Sequence, residues 1–420
     1  MLPLELIRRD PDRVRRAAQL KGEGAPVDEI LALDREWRTH LHGAEEIKAE
    51  QNRLSKEFAK TRDEALKERL REMADRAKSE LGDAEAVKAR LDDLLLRVPN
   101  LFHESVPVGE SEADNVVVRE WGSKPSFEFA PRTHYDLGEA LGILDFEHAA
   151  RIAGSRFAFL LGEGALLERA LVQFMLDVHT REHGYTEMWS PMVVNSAAMT
   201  GTANLPKFAD QLFKIADRDL WLIPTAEVPV TNFHREEILD ADRLPLKYVS
   251  YAPSWRTEAG AAGKDTRGFI RLHQFSKVEL VKVTTPETSM EEFEKLTRDA
   301  EEILQRLGLH YHVLLMCTGD MGFAQYKKYD LEAWAPGLDR YLEVSSCSTF
   351  NDFQAVRANI RYRPARGAPP QYAHTINGSG LALTRTIDAI IETYQRADGT
   401  ITVPEVLRPY MGGLEVIGRR

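Results

Sequence analysis

The run SWRTEAGAAGKDTRGFIRLHQFSKVE, residues 254–279, is the most informative in the chain. It predicts two strands flanking a Gly/Ala-rich loop, residues 259–268, too small and polar to pack. In the first strand Arg256 and Glu258 stand two apart and share a face. In the second, Ile270, Leu272, Val278 and Leu280 share one face, and Arg271, His273, Phe275, Lys277 and Glu279 share the other. Burying such a charged row without partners is expensive. A ligand offering an anion, a cation and a ring satisfies all of these groups together. An outer face bathed in water is the alternative.

Two further segments have the same flavour. Residues 377–386, NGSGLALTRT, end a strand and open a helix. Their small residues let a backbone approach a ligand closely. Arg385 falls in the first helical turn, where the helix dipole disfavours a cation, so it serves something outside the helix. Residues 183–191, HGYTEMWSP, end a helix on glycine and run a strand into a proline. Between and around these segments the pattern predicts helices over 163–183, 286–307 and 383–395. Strands are predicted over 220–223, 246–251, 269–284, 311–317, 329–334, 341–348 and 373–376. Consecutive strands without intervening helices predict an α+β domain, an antiparallel sheet with helices packed on it. No G-x-G-x-x-G and no G-x-x-x-x-G-K-[ST] is present, which excludes a Rossmann or P-loop site.

Residues 28–98 differ from all that follows. They hold no proline, and glycine only at Gly43 and Gly82. Apolar or small side chains step by threes and fours, from Ile30, Leu33 and Trp37 to Leu54 and Phe58, then from Leu66 and Leu70 to Leu91 and Leu94. This is coiled-coil periodicity broken near Thr61 and Asp63, and it predicts a long antiparallel α-helical hairpin of about 45 Å. A turn between Arg62 and Asp63 sets Gly43 opposite Gly82. Residues 45–80 carry ten Lys/Arg and ten Asp/Glu; such a surface is either a solvated face laced with ion pairs or one whose cations touch a phosphate backbone. The division expected is therefore 1–100 for an N-terminal domain with its arm at 28–98, and 101–420 for the α+β domain, entered by a linker over 99–131.

Composition sets outer bounds. The 420 residues are 43 % hydrophobic and 29 % charged, ample for a core. With 55 Lys+Arg against 66 Asp+Glu, the net charge of −11 advertises no polyanionic partner, so any nucleic acid is met by a local patch. Two cysteines, Cys317 and Cys347, exclude a disulfide scaffold and a Cys-rich zinc site. No targeting sequence or membrane span is recognisable, so the expectation is a cytoplasmic protein without a membrane partner.

In order, residues 183–191, 254–279 and 377–386 resemble motifs 1, 2 and 3 of class II aminoacyl-tRNA synthetases. With Thr225-Ala226-Glu227, residues 318–322 (TGDMG), Glu343-Val344-Ser345-Ser346 and the N-terminal hairpin, the chain resembles bacterial-type seryl-tRNA synthetases over essentially its whole length. The resemblance implies a two-step reaction. Serine and ATP give seryl-adenylate and pyrophosphate, and serine then passes to the 3′ end of serine tRNA, and of selenocysteine tRNA. It implies Arg256, Arg271 and Arg385 as catalytic cations, with Arg256 on the α-phosphate and the other two on the outer phosphates. It implies an ATP site that adds Thr257, Glu258, Phe275 stacked on adenine, Glu343, Val344, Ser345 and Ser346. Mg2+ would be held by Glu343 and Ser346, with no zinc. Residues three apart on a regular strand face opposite sides, so that pair converges only if the strand bulges or ends near Ser345. Serine is implied beside Thr225, Ala226, Glu227, Glu279 and Ser379. The hairpin is implied as the handle for serine tRNA, the molecule as a homodimer, and Lys264 and Arg267 as contacts to the acceptor stem.

Elsewhere plain structural roles are expected. The remaining histidines, His40, His42, His103, His148, His179 and His310 among them, form no ligand spacing, and Cys347 reads as a packing residue. Two other function classes are weighed. An adenylate-forming enzyme that loads a carrier protein would lack the long hairpin. A non-catalytic paralogue would lack a motif arginine or the metal acid, and Arg256, Arg385 and Glu343 are all present.

Overall fold

The computed structural model describes residues 1–259 and 268–418; Lys264 and Arg267 lie outside the described residues. The chain divides into two units, Met1–Pro99 and Asn100–Arg420.

The first unit is helical. Short helices α1 (Leu4–Arg9) and α2 (Pro11–Leu20) precede the long pair α3 (Val27–Thr61) and α4 (Glu64–Leu95). The chain reverses at Arg62, in the left-handed region at φ 52°, and Asp63 caps α4 by accepting from the Ala65 amide at 2.9 Å. The predicted periodicity is realised as a seam. Ile30, Leu33, Ala44 and Leu54 of α3 and Met73, Ala84, Val87 and Leu91 of α4 are buried, at about 1.5–3 kcal/mol for each large side chain. The glycines do not face each other as expected. A Cβ on Gly43 would meet Glu80 at 3.5 Å, while one on Gly82 would meet nothing within 4 Å among the described residues. His40 Nδ1 lies 2.7 Å from Glu80 as well, so the helices are staggered from the register that the glycine symmetry implied. Asp34, buried on α3, takes two hydrogen bonds from Arg8 of α1 and so fixes how α1 meets the pair. All ten cations of residues 45–80 are exposed.

In the second unit eight strands form one sheet: β1 (Val116–Trp121), β2 (Thr186–Glu187), β3 (Leu246–Trp255), β4 (Gln274–Thr284), β5 (Tyr311–Leu315), β6 (Lys327–Ala335), β7 (Arg340–Asn351) and β8 (His374–Ala382). Their spatial order is β1-β5-β6-β7-β8-β4-β3-β2, antiparallel throughout except for the β2/β3 edge pair. Helices α5 (His134–Ala140), α6 (Glu163–Arg181), α7 (Glu227–Thr231), α8 (Ser289–Arg306) and α9 (Leu383–Thr393) accompany it. Leu167, Leu171 and Phe174 of α6, Phe293 and Leu296 of α8, and Ile387 and Ile390 of α9 join Val278 and Leu280 of β4 in one apolar core. The α+β reading and the alternation of Val278 and Leu280 into the core therefore hold.

Strand ends differ from the sequence reading where the chemistry lies. β3 stops at Trp255 and β4 starts only at Gln274, so Arg256, Glu258, Arg271 and His273 sit on irregular backbone rather than on strands. β8, by contrast, runs on through Ala382. Among the described residues no helix is long and apolar enough to cross a membrane.

Candidate active site

On the sheet face away from that core, a cavity of about 520 Å³ opens between the ends of β3, β4, β7 and β8 and the starts of α7 and α9. Five cations line it (Arg256, Arg271, Lys277, Lys328 and Arg385) against three carboxylates, Glu227, Glu258 and Glu343. Arg271, Phe275 and Lys277 of the polar row thus look into a cleft with an excess of positive charge rather than onto open water, which suits a polyanion, while His273 and Glu279 do not line it.

Each cation is aimed by its neighbours. Arg385 leaves the first turn of α9 as the dipole argument requires, donating from Nε to the Ile270 carbonyl (3.1 Å) and from Nη1 to the Glu343 carbonyl (2.9 Å). Arg271 Nη1 pairs with Glu258 at 3.0 Å, and its buried Nε has no hydrogen-bond partner among the described residues. That pair is possible because Glu258 has φ 53°, which swings its side chain back toward residue 271, a turn that strand alternation does not describe. Arg256 Nε donates to the Pro224 carbonyl at 3.3 Å, and its guanidinium lies 5.1 Å from the centre of the Phe275 ring. One face of that ring is therefore already covered by Arg256.

Glu343 and Ser346 both line the cavity although they are three apart on β7. The cause is a β-bulge: Glu332 pairs with Glu343 and Leu331 with Ser345, leaving Val344 without a counterpart on β6. Burial acts to raise the Glu343 carboxyl, but Arg385, Lys328 and Arg256 together hold it below the usual carboxylate value. An ionised carboxylate and a hydroxyl on one wall are oxygen donors suited to a hard divalent ion. Such an ion completes its shell with ligand phosphates and water, so the pair fits Mg2+. Among the described residues no three His, Cys, Asp or Glu side chains converge as a metal centre.

At the other end of the cavity Thr225, Glu227, Asn377 and Ser379 meet. Ser379 and Asn377 face the cavity because β8 alternates. The sequence reads the glycines between and beside them as letting the backbone approach a ligand; their close contacts in the structure lie behind the sheet. A Cβ on Gly378 would come 2.4 Å from Leu296 and 2.8 Å from Cys347 Sγ, and one on Gly380 would come 2.7 Å from His179 Nε2. They are glycines so that the helices behind the sheet can pack. Gly380 is also left unpaired in a second bulge, between the Ser379–Glu279 and Leu381–Val278 pairs. Glu227 accepts from Gln354 Nε2 at 2.7 Å; burial first, then Glu279, push its carboxyl up to about 7.

Four expected site residues do not line the cavity. Glu279 is fully buried one layer behind it, accepting from Thr225 Oγ1 (3.0 Å) and Asn377 Nδ2 (3.0 Å) and paired with Lys277. It orients the wall instead of forming it. Ser345, turned inward by the bulge, donates to the Ser379 carbonyl at 2.6 Å. Thr257 Oγ1 donates to the Asp210 carbonyl, and Ala226 packs in an apolar cluster at the head of α7. Conversely, Lys277, Lys328, Asn377 and Gln354 enter the site or brace it without having been singled out. The charged face that includes Lys277 was the available signal; Lys328 and Gln354 had none, since strand pairing brings in the first and the short helix after β7, Phe353–Ala358, brings in the second. Cys347 is buried, and burial pushes its thiol up to about 12, which keeps it protonated and inert.

Comparison with known proteins identifies the family. Residues 1–102 match the seryl-tRNA synthetase N-terminal domain, and residues 212–394 match the tRNA synthetase class II core domain (G, H, P, S and T). A serine–tRNA ligase of Caldanaerobacter subterraneus is 53 % identical over 98 % of both chains. The seryl-tRNA synthetase of Pyrococcus horikoshii, solved in complex with ATP, is 41 % identical with a TM-score of 0.94, covering 99 % of both chains. The cytoplasmic serine–tRNA ligase of Naegleria fowleri, solved with AMP, is 32 % identical with a TM-score of 0.88, covering 99 % of this chain and 98 % of that one. With two domain models matched in order and full-length relatives well above 30 % identity, the chain belongs to the seryl-tRNA synthetase family.

Proposed function

We propose that this chain is an aminoacyl-tRNA ligase that activates L-serine with ATP, releasing pyrophosphate, and then transfers serine from the adenylate to the 3′ end of serine tRNA. The observation that carries this reading is the convergence of Arg256, Arg271 and Arg385 with Glu343 and Ser346 around one cavity.

In the first step an oxygen of the serine carboxylate forms a bond to the α-phosphorus, and the bond from that phosphorus to the bridging oxygen of the β-phosphate breaks. The nucleophile is already an anion, so no protein base is needed; catalysis is positioning and charge neutralisation. Arg256 steadies the α-phosphate and the carboxylate. Arg271, aimed by Glu258, and Arg385, aimed by two carbonyls, hold the outer phosphates. Adenine takes the free face of Phe275. Mg2+, held by Glu343 and Ser346, supplies charge neutralisation at the phosphates when bound. Glu227 takes the serine ammonium, and Thr225 and Ser379 take its hydroxyl. Losing the hydroxyl leaves those polar groups unpaired, which rejects alanine.

The exposed helical arm is the handle for tRNA, read through backbone and shape. A homodimer is supported by a large apolar side chain left exposed in the first motif, Trp189 at 84 %. The arm of one subunit would then serve the active site of the other. Serine-dependent exchange of labelled pyrophosphate into ATP, followed by serylation of serine tRNA, tests the reading. Exchange driven equally by another amino acid, or acylation of a carrier protein in place of tRNA, would overturn it.

A further inference from the structure

Outside the cavity lies a group of titratable side chains that the proposed chemistry does not use. His134 at the start of α5 and Asp388 and Glu392 on α9 are all fully buried. Glu392 Oε1 accepts from the His134 amide (2.9 Å) and bonds its Nδ1 (2.7 Å), while Oε2 accepts from the amides of Gly337 (2.8 Å) and Leu338 (3.1 Å). A carboxylate oxygen on Nδ1 means that Nδ1 carries hydrogen, which leaves Nε2 to be settled.

Two groups compete for that atom. The Phe269 amide donates to Nε2 at 3.3 Å, which requires a bare nitrogen. Asp388 Oδ1 lies 3.6 Å away, and neither Asp388 oxygen has a hydrogen-bond partner among the described residues. A proton on Nε2 would satisfy Asp388 and set two donors against each other at Phe269. The backbone here cannot drift away. Gly268, at φ +86°, is pressed so close that a Cβ would come 2.6 Å from His134 Nε2 and 2.7 Å from Tyr135. Next along the chain, the Ile270 carbonyl accepts from Arg385 Nε, and Arg271 follows.

We infer that His134 is a positioning residue for the phosphate-binding arginines: the proton between its Nε2 and Asp388 decides whether the Phe269 amide is tied, and with it the carbonyl that holds Arg385. The inference rests on the cavity being the ATP site. The charged groups facing the imidazole are Asp388 and Glu392 from α9 and Arg340 from β7, with Arg385 acting on Asp388; Tyr135 packs edge-on from its own helix. Burial opposes the imidazolium, but the two carboxylates outweigh it and raise His134 above its ordinary value, while burial pushes the Asp388 carboxyl up to about 7. The cluster therefore takes up a proton near neutrality, and acidification loosens Phe269.

The test pairs two measurements on the full chain, with Asp388→Asn and His134→Gln as variants. The first is KM for ATP in serine-dependent pyrophosphate exchange at saturating serine between pH 6 and 8.5. The second is hydrogen exchange of the peptide carrying Phe269, corrected for the intrinsic pH dependence. In the wild type KM for ATP rises roughly two- to tenfold from pH 8 to 6, the equivalent of one hydrogen bond, and protection at Phe269 falls. Asp388→Asn removes the negative charge that favours a protonated Nε2 and supplies an amide that can donate to a bare one, and glutamine cannot switch, so both variants flatten both profiles. Wild-type profiles retained in both variants overturn the inference. Absence of serine-dependent exchange in the wild type would sink the ATP reading instead. The Phe269 profiles then decide by themselves whether His134 governs the Phe269 amide: flattening in the variants upholds that link, and unchanged profiles overturn it.

Discussion

Serine affinity should titrate with Glu227. Its carboxyl is raised to about 7, first by burial and then by Glu279, against the opposing hydrogen bond from Gln354. The neutral acid therefore dominates below that value, and the carboxylate that pairs with the serine ammonium is present above it and lost as pH falls. About half of the free enzyme is competent at pH 7 and about a tenth at pH 6. KM for serine should thus rise roughly tenfold between pH 8 and pH 6, at about 1.4 kcal/mol for each unit below 7. The assay is pyrophosphate exchange at saturating ATP, which separates this titration from any change at the nucleotide end. Gln354→Leu removes the bond that favours the ionised form and should shift the profile to higher pH. Glu227→Gln should give weak, flat serine binding. A wild-type KM for serine constant within twofold from pH 6 to 8, or a normal profile in Glu227→Gln, would refute the assignment of the ammonium to this carboxylate.

The same group carries a stability signature. Because the folded state raises the acid from 4.5 to about 7, its ionised form is penalised above that range, so Glu227→Gln should stabilise the unliganded protein at pH 8 by up to about 3 kcal/mol, with the gain vanishing below about pH 4.5 in thermal melts. Thr225→Ala or Ser379→Ala should raise KM for serine by roughly an order of magnitude or more while KM for ATP stays within about twofold; equal losses in exchange assays would contradict the placement. Gly380→Ala puts a methyl 2.7 Å from His179 Nε2, so it should destabilise by about 1–3 kcal/mol and disturb the adjacent Ser379, read as a lower Tm with a raised KM for serine. Deleting residues 32–96 should abolish tRNA charging yet spare adenylate formation, and unchanged charging would defeat the role of the arm.

What could be read from the sequence follows the range of the forces involved. The helical arm was legible to its turn, because a seam of Leu, Ile and Ala side chains at three- and four-residue steps is a local pattern, and Asp63 caps the helix that follows it. The stagger of the arm was not, since Gly43 meets Glu80 through packing across two helices. Chemistry-bearing residues were recognisable by type: three arginines, an acid beside a serine, and an aromatic ring. Their geometry was not, because it depends on departures from regular structure. Glu258 reaches Arg271 only through a positive φ, and Glu343 joins Ser346 only because β6 leaves Val344 unmatched. No inspection of residues 343–346 alone reveals a register set by Leu331 and Glu332.

The same logic explains why the layer behind the cavity was invisible, and why it matters. Glu279 resembled a ligand contact because it shares a strand face with Lys277, yet it spends its lone pairs on Thr225, Asn377 and Lys277. His134 gave no signal at all, because its partners lie more than 250 residues away on α9. Both sit where one residue governs several others: Glu279 orients the serine end and His134 the phosphate end. A site that works by placing charges, with no nucleophile or base of its own, is only as good as the shell that aims them. Mutations at Glu279 or His134 should therefore act on KM for one substrate each, serine for the first and ATP for the second. A pair of buried carboxylate and imidazole residues that merely stabilised the fold would lower Tm and leave both constants in their wild-type ratio.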